Sequence, residues 1–149
     1  MHSSFDIIGD IHGQLAKLNR LLATLGYHRS DKGYTHPDGR HAIFIGDLID
    51  PKDGATQPGD TREVLHQVKQ MCDNDQASVI MGNHEFNAIL YHTKGANGAY
   101  LREHSSGNLK QHAGTLVDFP DACDPESEWI TLWIPWFISL PLYIEHPTF

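Results

Sequence analysis

Phe5-Asp6-Ile7-Ile8-Gly9-Asp10-Ile11-His12-Gly13 opens with a short apolar run that stops at a glycine and passes at once into acidic and imidazole side chains. Leu15, Leu18, Leu22 and Leu25 then recur at helical spacing until Gly26 closes the pattern, so the stretch reads as strand, turn and amphipathic helix. The same order returns twice. His41-Ala42-Ile43-Phe44-Ile45 leads into Gly46-Asp47-Leu48-Ile49-Asp50, and Ala77-Ser78-Val79-Ile80-Met81 leads into Gly82-Asn83-His84-Glu85. Consecutive apolar residues in the second run suit a strand covered on both faces. Between the second and third runs, Val64, Leu65, Val68 and Met71 mark one buried stripe of a helix over residues 61–72. Long crossovers carrying helices make neighbouring strands parallel and bring their carboxyl ends to one side, where open α/β sheets bind ligands.

The remaining segments are less regular. Tyr27 to Arg40 is polar with a turn signal at Pro37-Asp38-Gly39, and Pro51 to Asp60 is a loop rich in Gly, Pro and Asp. Glu85 to Tyr91 begins a third helix, and a further helix is expected over Tyr100 to Asp118. Glu126 to Ile138 reads as a nearly all-round apolar helix, bent or broken at Pro135, and Leu142-Tyr143-Ile144 is strand-like. No repeat or long linker divides the 149 residues, so a single domain is expected.

Composition narrows the partners. The chain has 11 Lys+Arg against 19 Asp+Glu, a formal charge of −8, which argues against binding a nucleic-acid backbone. Cys72 and Cys123 stand in neither a disulfide framework nor a zinc spacing, which suits a reducing compartment. The first residues lack the basic region of a signal peptide. The most apolar tract, Trp129 to Ile144, contains two prolines and falls short of the ~20 residues a membrane crossing needs. A cytoplasmic protein without membrane contact is expected.

The three loops carry the chemistry. An Asp or Asn after a strand commonly caps the next helix, so one such loop proves little. Three of them at one sheet edge bring Asp10, Asp47 and Asp50 together, and carboxylates that close repel or take up protons unless a cation lies between them. His12 and His84 add imidazole nitrogens and Asn83 a neutral amide oxygen. This mixed oxygen and nitrogen set suits Mn, Fe, Zn or Co better than Ca.

The ordered motifs GDIHG, GDLID and GNHE, about thirty-five residues apart, closely resemble those of the calcineurin-like metallophosphoesterase superfamily. Within it the sequence is most similar to the branch of serine/threonine phosphoprotein phosphatases and diadenosine tetraphosphatases. The resemblance implies an α/β fold, the N-terminal part of a metallophosphoesterase β-sandwich flanked by helices, with parallel strands and the motifs at their carboxyl ends. It implies two divalent or trivalent metal ions, manganese among the candidates, held by Asp10, His12, Asp47 and Asn83, with Asp47 bridging both. His84 resembles the general acid and Asp50 the carboxylate that orients its imidazole. The implied reaction is hydrolysis of a phosphomonoester or phosphoanhydride by direct attack of a metal-bridging hydroxide, on a phosphorylated protein or a nucleotide.

Two departures from the family pattern stand out. Relatives usually continue the second motif as GDxxDRG, whose arginine clamps phosphate; here Asp50-Pro51-Lys52-Asp53-Gly54 offers only the point charge of Lys52. The family also completes its metal site with two histidines on later strands, which this sequence does not reach. The chain is therefore expected to be one incomplete domain, residues 1–149, the N-terminal part of a longer enzyme. Missing strands would leave a sheet edge and part of Trp129, Trp133, Trp136 and Phe137 without partners, favouring self-association. His2, His28, His36, His41, His66, His92, His104, His112 and His146 are each expected as surface or helix residues rather than replacement ligands. Arg102, Glu103 and His104 read as a solvated helix face. The competing reading is a non-catalytic metal-binding or interaction module, a truncated relative of these enzymes.

Overall fold

The computed structural model describes residues 4–31, 33–52 and 54–145; His2, Asp53 and His146 lie outside the described residues. Its organising element is a parallel sheet of three strands, β1 (Phe5–Ile8), β4 (His41–Phe44) and β5 (Ala77–Val79), with β4 in the middle. Phe5 pairs with His41, Ile8 with Phe44, and Phe44 in turn with Val79. All four β4 residues are buried, as an apolar run flanked by strands on both sides should be. Asp6 is buried in β1 because Arg40 pairs with its carboxylate and the Tyr27 hydroxyl donates to it at 3.0 Å.

Helix α1 (Leu15–Thr24) follows β1 and lays Leu18 and Leu22 on the core, both fully buried. The crossover to β4 then holds a feature without a local sequence signal: β2 (His28–Ser30) and β3 (Gly33–Thr35) form a small antiparallel hairpin in the polar stretch. Helix α2 (Asp60–Asp73) crosses from β4 to β5, and α3 (Asn83–His92) leaves β5 through the third motif. Helix α4 (Ser106–Asp118) is tied to the start of α2, since the Asp118 carboxylate accepts the backbone amides of Gly59 at 2.6 Å and Thr61 at 2.8 Å. That long-range cap satisfies donors which a helix start otherwise leaves orphaned. Close packing completes the placement: a Cβ on Gly114 of α4 would come within 2.7 Å of the Pro51 ring.

The last apolar helix is continuous but locally wide. Pro135 has no N–H to return to Thr131, and the turn over Trp129–Trp133 opens to π geometry, with the Ile134 amide reaching Trp129 O, before α5 (Ile134–Ser139) begins. Trp129, Trp133 and Phe137 are fully buried against Phe119 and one another, which corrects the expectation that they lack partners. Exposed apolar surface lies elsewhere, at Ile7 on β1 and at Leu142 and Tyr143. Leu142-Tyr143-Ile144 forms no strand; the segment touches the sheet end through Pro141 O, which accepts the Met81 amide at 2.8 Å. Its apolar character gives it strand propensity, yet without a ladder partner propensity alone does not make a strand. Among the described residues no helix is long and apolar enough to cross a membrane.

Candidate metal centre

Each strand of the sheet ends in one of the three motif loops, and backbone hydrogen bonds stitch the loops to each other. The Asp47 carbonyl accepts the amides of Ile11 at 3.0 Å and His12 at 2.9 Å, and the Leu48 carbonyl accepts that of Gly13 at 2.7 Å. From the third motif, the buried Glu85 carboxylate accepts the amides of Asp47 and Leu48, both at 2.8 Å, and of Gly82 at 3.1 Å. The second and third loops are so close that a Cβ on Gly82 would lie 2.2 Å from Asp47 N, hence glycine there. His12, Asp47 and Asp50 all adopt left-handed backbone, with φ of 49°, 53° and 62°. Non-glycine residues take that region at a cost, and three together in the motif loops mark a site held by its surroundings.

This scaffold brings His12, Asp47 and His84 into one group whose potential ligand atoms lie within 4.8 Å of one another. The His12 Nδ1 faces Ile49 O at 2.9 Å, which fixes the tautomer and leaves Nε2 as the free coordinating atom. Asp47 Oδ1 accepts the backbone amide of His84 at 3.0 Å, so its other oxygen remains available. Asp10 stands at the rim: its carboxylate is 58% exposed, with Oδ2 3.7 Å from His12 Nε2. Asn83, exposed, is the first residue of α3. Imidazole nitrogen, carboxylate oxygens and an amide at one edge are a donor set that fits a divalent transition metal.

Asp50 is not one of these clustered potential ligands but meets the group through His84. Its side chain is 1% exposed and works as a hub: Oδ2 meets His84 Nδ1 at 2.8 Å, while Oδ1 meets His112 Nδ1 and the Thr115 hydroxyl, each at 2.7 Å. Burial pushes the Asp50 carboxyl up, but the hydrogen bonds from His112 and His84 outweigh it and bring it down to about 2. In return the hydrogen bond to Asp50 raises the His84 imidazole against the opposing effect of burial.

Beside these groups opens a cavity of about 660 Å³, lined by His12, Asp50 and His84 and by Lys52, Lys110 and Gln111. Lys110 and Gln111 come from α4, as do His112 and Thr115, and none of the four belongs to a motif. Glu85 stood inside the third motif without a role. The i, i+3 spacing of His112 and Thr115 on a helix was the one local sign of a shared polar face. Of the other histidines, His41 is buried in β4 rather than on a surface or helix, its Nε2 2.8 Å from Ser78 Oγ. His104 stacks between Tyr91 and Tyr100 at ring distances of 3.8 and 4.0 Å.

Comparison with known proteins agrees with this geometry. Residues 3–143 match the family described as calcineurin-like phosphoesterase. Over 80 residues the chain is 40% identical to the asymmetrical bis(5'-nucleosyl)-tetraphosphatase PrpE of Halalkalibacterium halodurans, a match covering 54% of this chain and 30% of that protein. The PrpE of Oceanobacillus iheyensis is 38% identical over 79 residues, covering 53% of this chain and 29% of that one. That of Bacillus thuringiensis is 48% identical over 46 residues, covering 31% and 19% respectively. The chain thus matches less than a third of the length of each of these curated relatives.

Proposed function

We propose that this chain, which belongs to the calcineurin-like phosphoesterase family, hydrolyses a phosphate ester or anhydride bond at the edge formed by its three motif loops. The observation that carries the reading is the gathering of His12, Asp47 and His84, two of which line a cavity that Lys52 and Lys110 also line. Asp10, His12, Asp47 and Asn83 are the residues that would hold two divalent ions of the Mn, Fe, Zn or Co class. Such ions supply Lewis acidity and a water acidified enough to attack phosphorus directly, without a phosphoenzyme.

The remaining roles belong to side chains of the chain itself. His84, its Nδ1 directed at Asp50, is assigned as the acid that gives the Nε2 proton to the departing oxygen. Asp50 orients that imidazole and favours its charged form. Lys52 and Lys110, which line the same cavity as His12 and His84, would attract the phosphate in the place of the arginine that usually follows the second motif. They matter more here than in a basic protein, because a chain of net charge −8 repels an anionic substrate until metals and lysines offset it locally.

The relatives' name specifies bis(5'-nucleosyl) tetraphosphates, and a cavity of about 660 Å³ has room for more than a single phosphate. A nucleoside polyphosphate is therefore preferred here over a phosphorylated protein. Cys72 and Cys123 are both free, in keeping with a reducing compartment such as the cytoplasm. The test is phosphate release with Mn²⁺ from p-nitrophenyl phosphate and from a bis(5'-nucleosyl) tetraphosphate, for this chain and for any longer gene product containing it. Activity in either supports the reading. Tight metal binding with no turnover in either would instead favour the non-catalytic module.

A further inference from the structure

The His84–Asp50 pair does not end at Asp50. Asp50 Oδ1 meets His112 Nδ1 at 2.7 Å, and His112 Nε2 in turn meets His92 Nε2 at 3.2 Å, so four side chains run from the cavity wall into the core. His112 is 1% exposed, and its ring packs against Tyr91 and Trp129 at centroid distances of 5.3 and 5.7 Å. We propose that His112 is a positioning residue for the reaction: clamped by His92 and seated beside Thr115, it fixes the rotation of the Asp50 carboxylate and thereby the aim of His84. The proposal rests on the phosphoesterase reading for its kinetic consequence, while its structural content stands on these contacts alone.

Four features carry it. A carboxylate turns about one bond, so two partners on Oδ1 decide where Oδ2 points, and Oδ2 is the atom that holds His84. Thr115 donates to Asp50 Oδ1 while accepting the Asp50 amide at 2.9 Å, so both its bonds go to Asp50 itself and it gives less independent reference for the carboxylate's rotation than a ring anchored elsewhere. The imidazole of His112 is a planar donor whose own orientation is set from behind by His92. The two facing Nε2 atoms need one proton between them, so the second histidine makes the ring position of the first specific rather than merely filling space. His112 and Thr115 also share α4 with Lys110 and Gln111, so the helix that lines the cavity is the one that sets the acid's direction.

The experiment compares His112→Leu, which removes the donor, with His112→Asn, whose amide nitrogen takes the place of Nδ1. Long-range ¹H–¹⁵N correlation spectra of the metal-free chain, at one fixed pH, report whether His84 keeps a single hydrogen-bonded Nδ1–H tautomer. The proposal expects His112→Leu to give a mixed or shifted His84 signal and His112→Asn to restore that of the parent. In the active protein it expects kcat to fall about tenfold or more in the Leu variant at unchanged KM, with recovery in the Asn variant. An unaltered His84 signal in the folded Leu variant overturns the proposal. If that variant does not fold, a disturbed His84 signal in the folded Asn variant overturns it and a parental one supports it. The spectra decide the role of His112 even if no phosphate ester is hydrolysed, so failure of the enzymatic reading is seen separately.

Discussion

Glu85 Oε2 accepts the backbone amide of Asp47 at 2.8 Å, joining residues from two different motif loops across the sheet edge. Its other oxygen holds Leu48 N at 2.8 Å, and Oε2 also takes Gly82 N at 3.1 Å. The carboxylate is fully buried; burial raises its pKa, and the amides of Asp47 and Leu48 act to hold it ionised. The candidate metal centre is thus prearranged by a buried carboxylate whose hydrogen bonds go to the backbone of the second and third motif loops.

Replacing Glu85 with Gln should therefore harm the protein out of proportion to the single atom changed. One acceptor becomes an NH₂ facing buried amide donors, so at least one backbone N–H loses its partner. The expected cost is about 1–3 kcal/mol of unfolding free energy, read from the urea midpoint. An unchanged midpoint would show that the three loops are held together by other bonds.

Asp47 and His84 offer a test of role. Under the proposed function Asp47 would hold metal, whereas His84 would donate a proton, although its ring nitrogen lies in the same group within 4.8 Å. Asp47→Asn should thus lower the manganese retained after equilibrium dialysis well below that of His84→Asn. Equal loss in the two would refute the division of roles.

Lys52 and Lys110 line the cavity but are themselves exposed, so their pull on a phosphate is screened by solvent. Each Lys→Ala change should raise KM for an anionic substrate roughly two- to fivefold, from an ion pair worth about 0.5–1 kcal/mol, and leave kcat nearly unchanged. The effect should shrink as salt rises. A loss confined to kcat would mean that these lysines act on the transition state alone.

The parts of the fold legible in the sequence were those fixed by neighbours in the chain. A four- or five-residue apolar run ending in glycine needs no distant information to be read as a strand, and the three motif loops followed from it. The hairpin of β2 and β3 lacked such a sign, because His28, Arg29 and Ser30 are all exposed and show no alternation. The widened turn before Pro135 was visible only as a break, since whether a proline bends, stops or widens a helix depends on what packs around it. His112 lies sixty-two residues from Asp50, and its burial depends on α4 being fastened through Asp118 to the start of α2. Spacing along one chain carries no trace of that fastening. The Lys110 cation that lines the cavity escaped for the same reason: it looks like any exposed helix lysine until α4 is placed.

His92 makes the last prediction, which concerns stability and acid. It packs among Tyr91, Trp129 and His112, with ring distances of 5.2, 5.7 and 5.4 Å. Burial, then the charges of His112 and His104, push its pKa down to about 4 from the ordinary 6.5. The unfolded chain therefore binds a proton below pH 6.5 that the folded chain refuses until about pH 4. Folding loses free energy as pH falls through that window, by up to about 2 kcal/mol between pH 7.5 and 5. His84 acts in the opposite sense, because the hydrogen bond to Asp50 raises its pKa and its contribution is fully present only at low pH. Asp50 does not enter, since its carboxyl titrates between its ordinary 3.8 and about 2. The comparison to make is therefore between the parent and His92→Gln, by urea unfolding at the two pH values. The variant should lose less stability on acidification than the parent by about 2 kcal/mol at most. Parallel pH dependence in the two proteins would mean that His92 is protonated in the folded core.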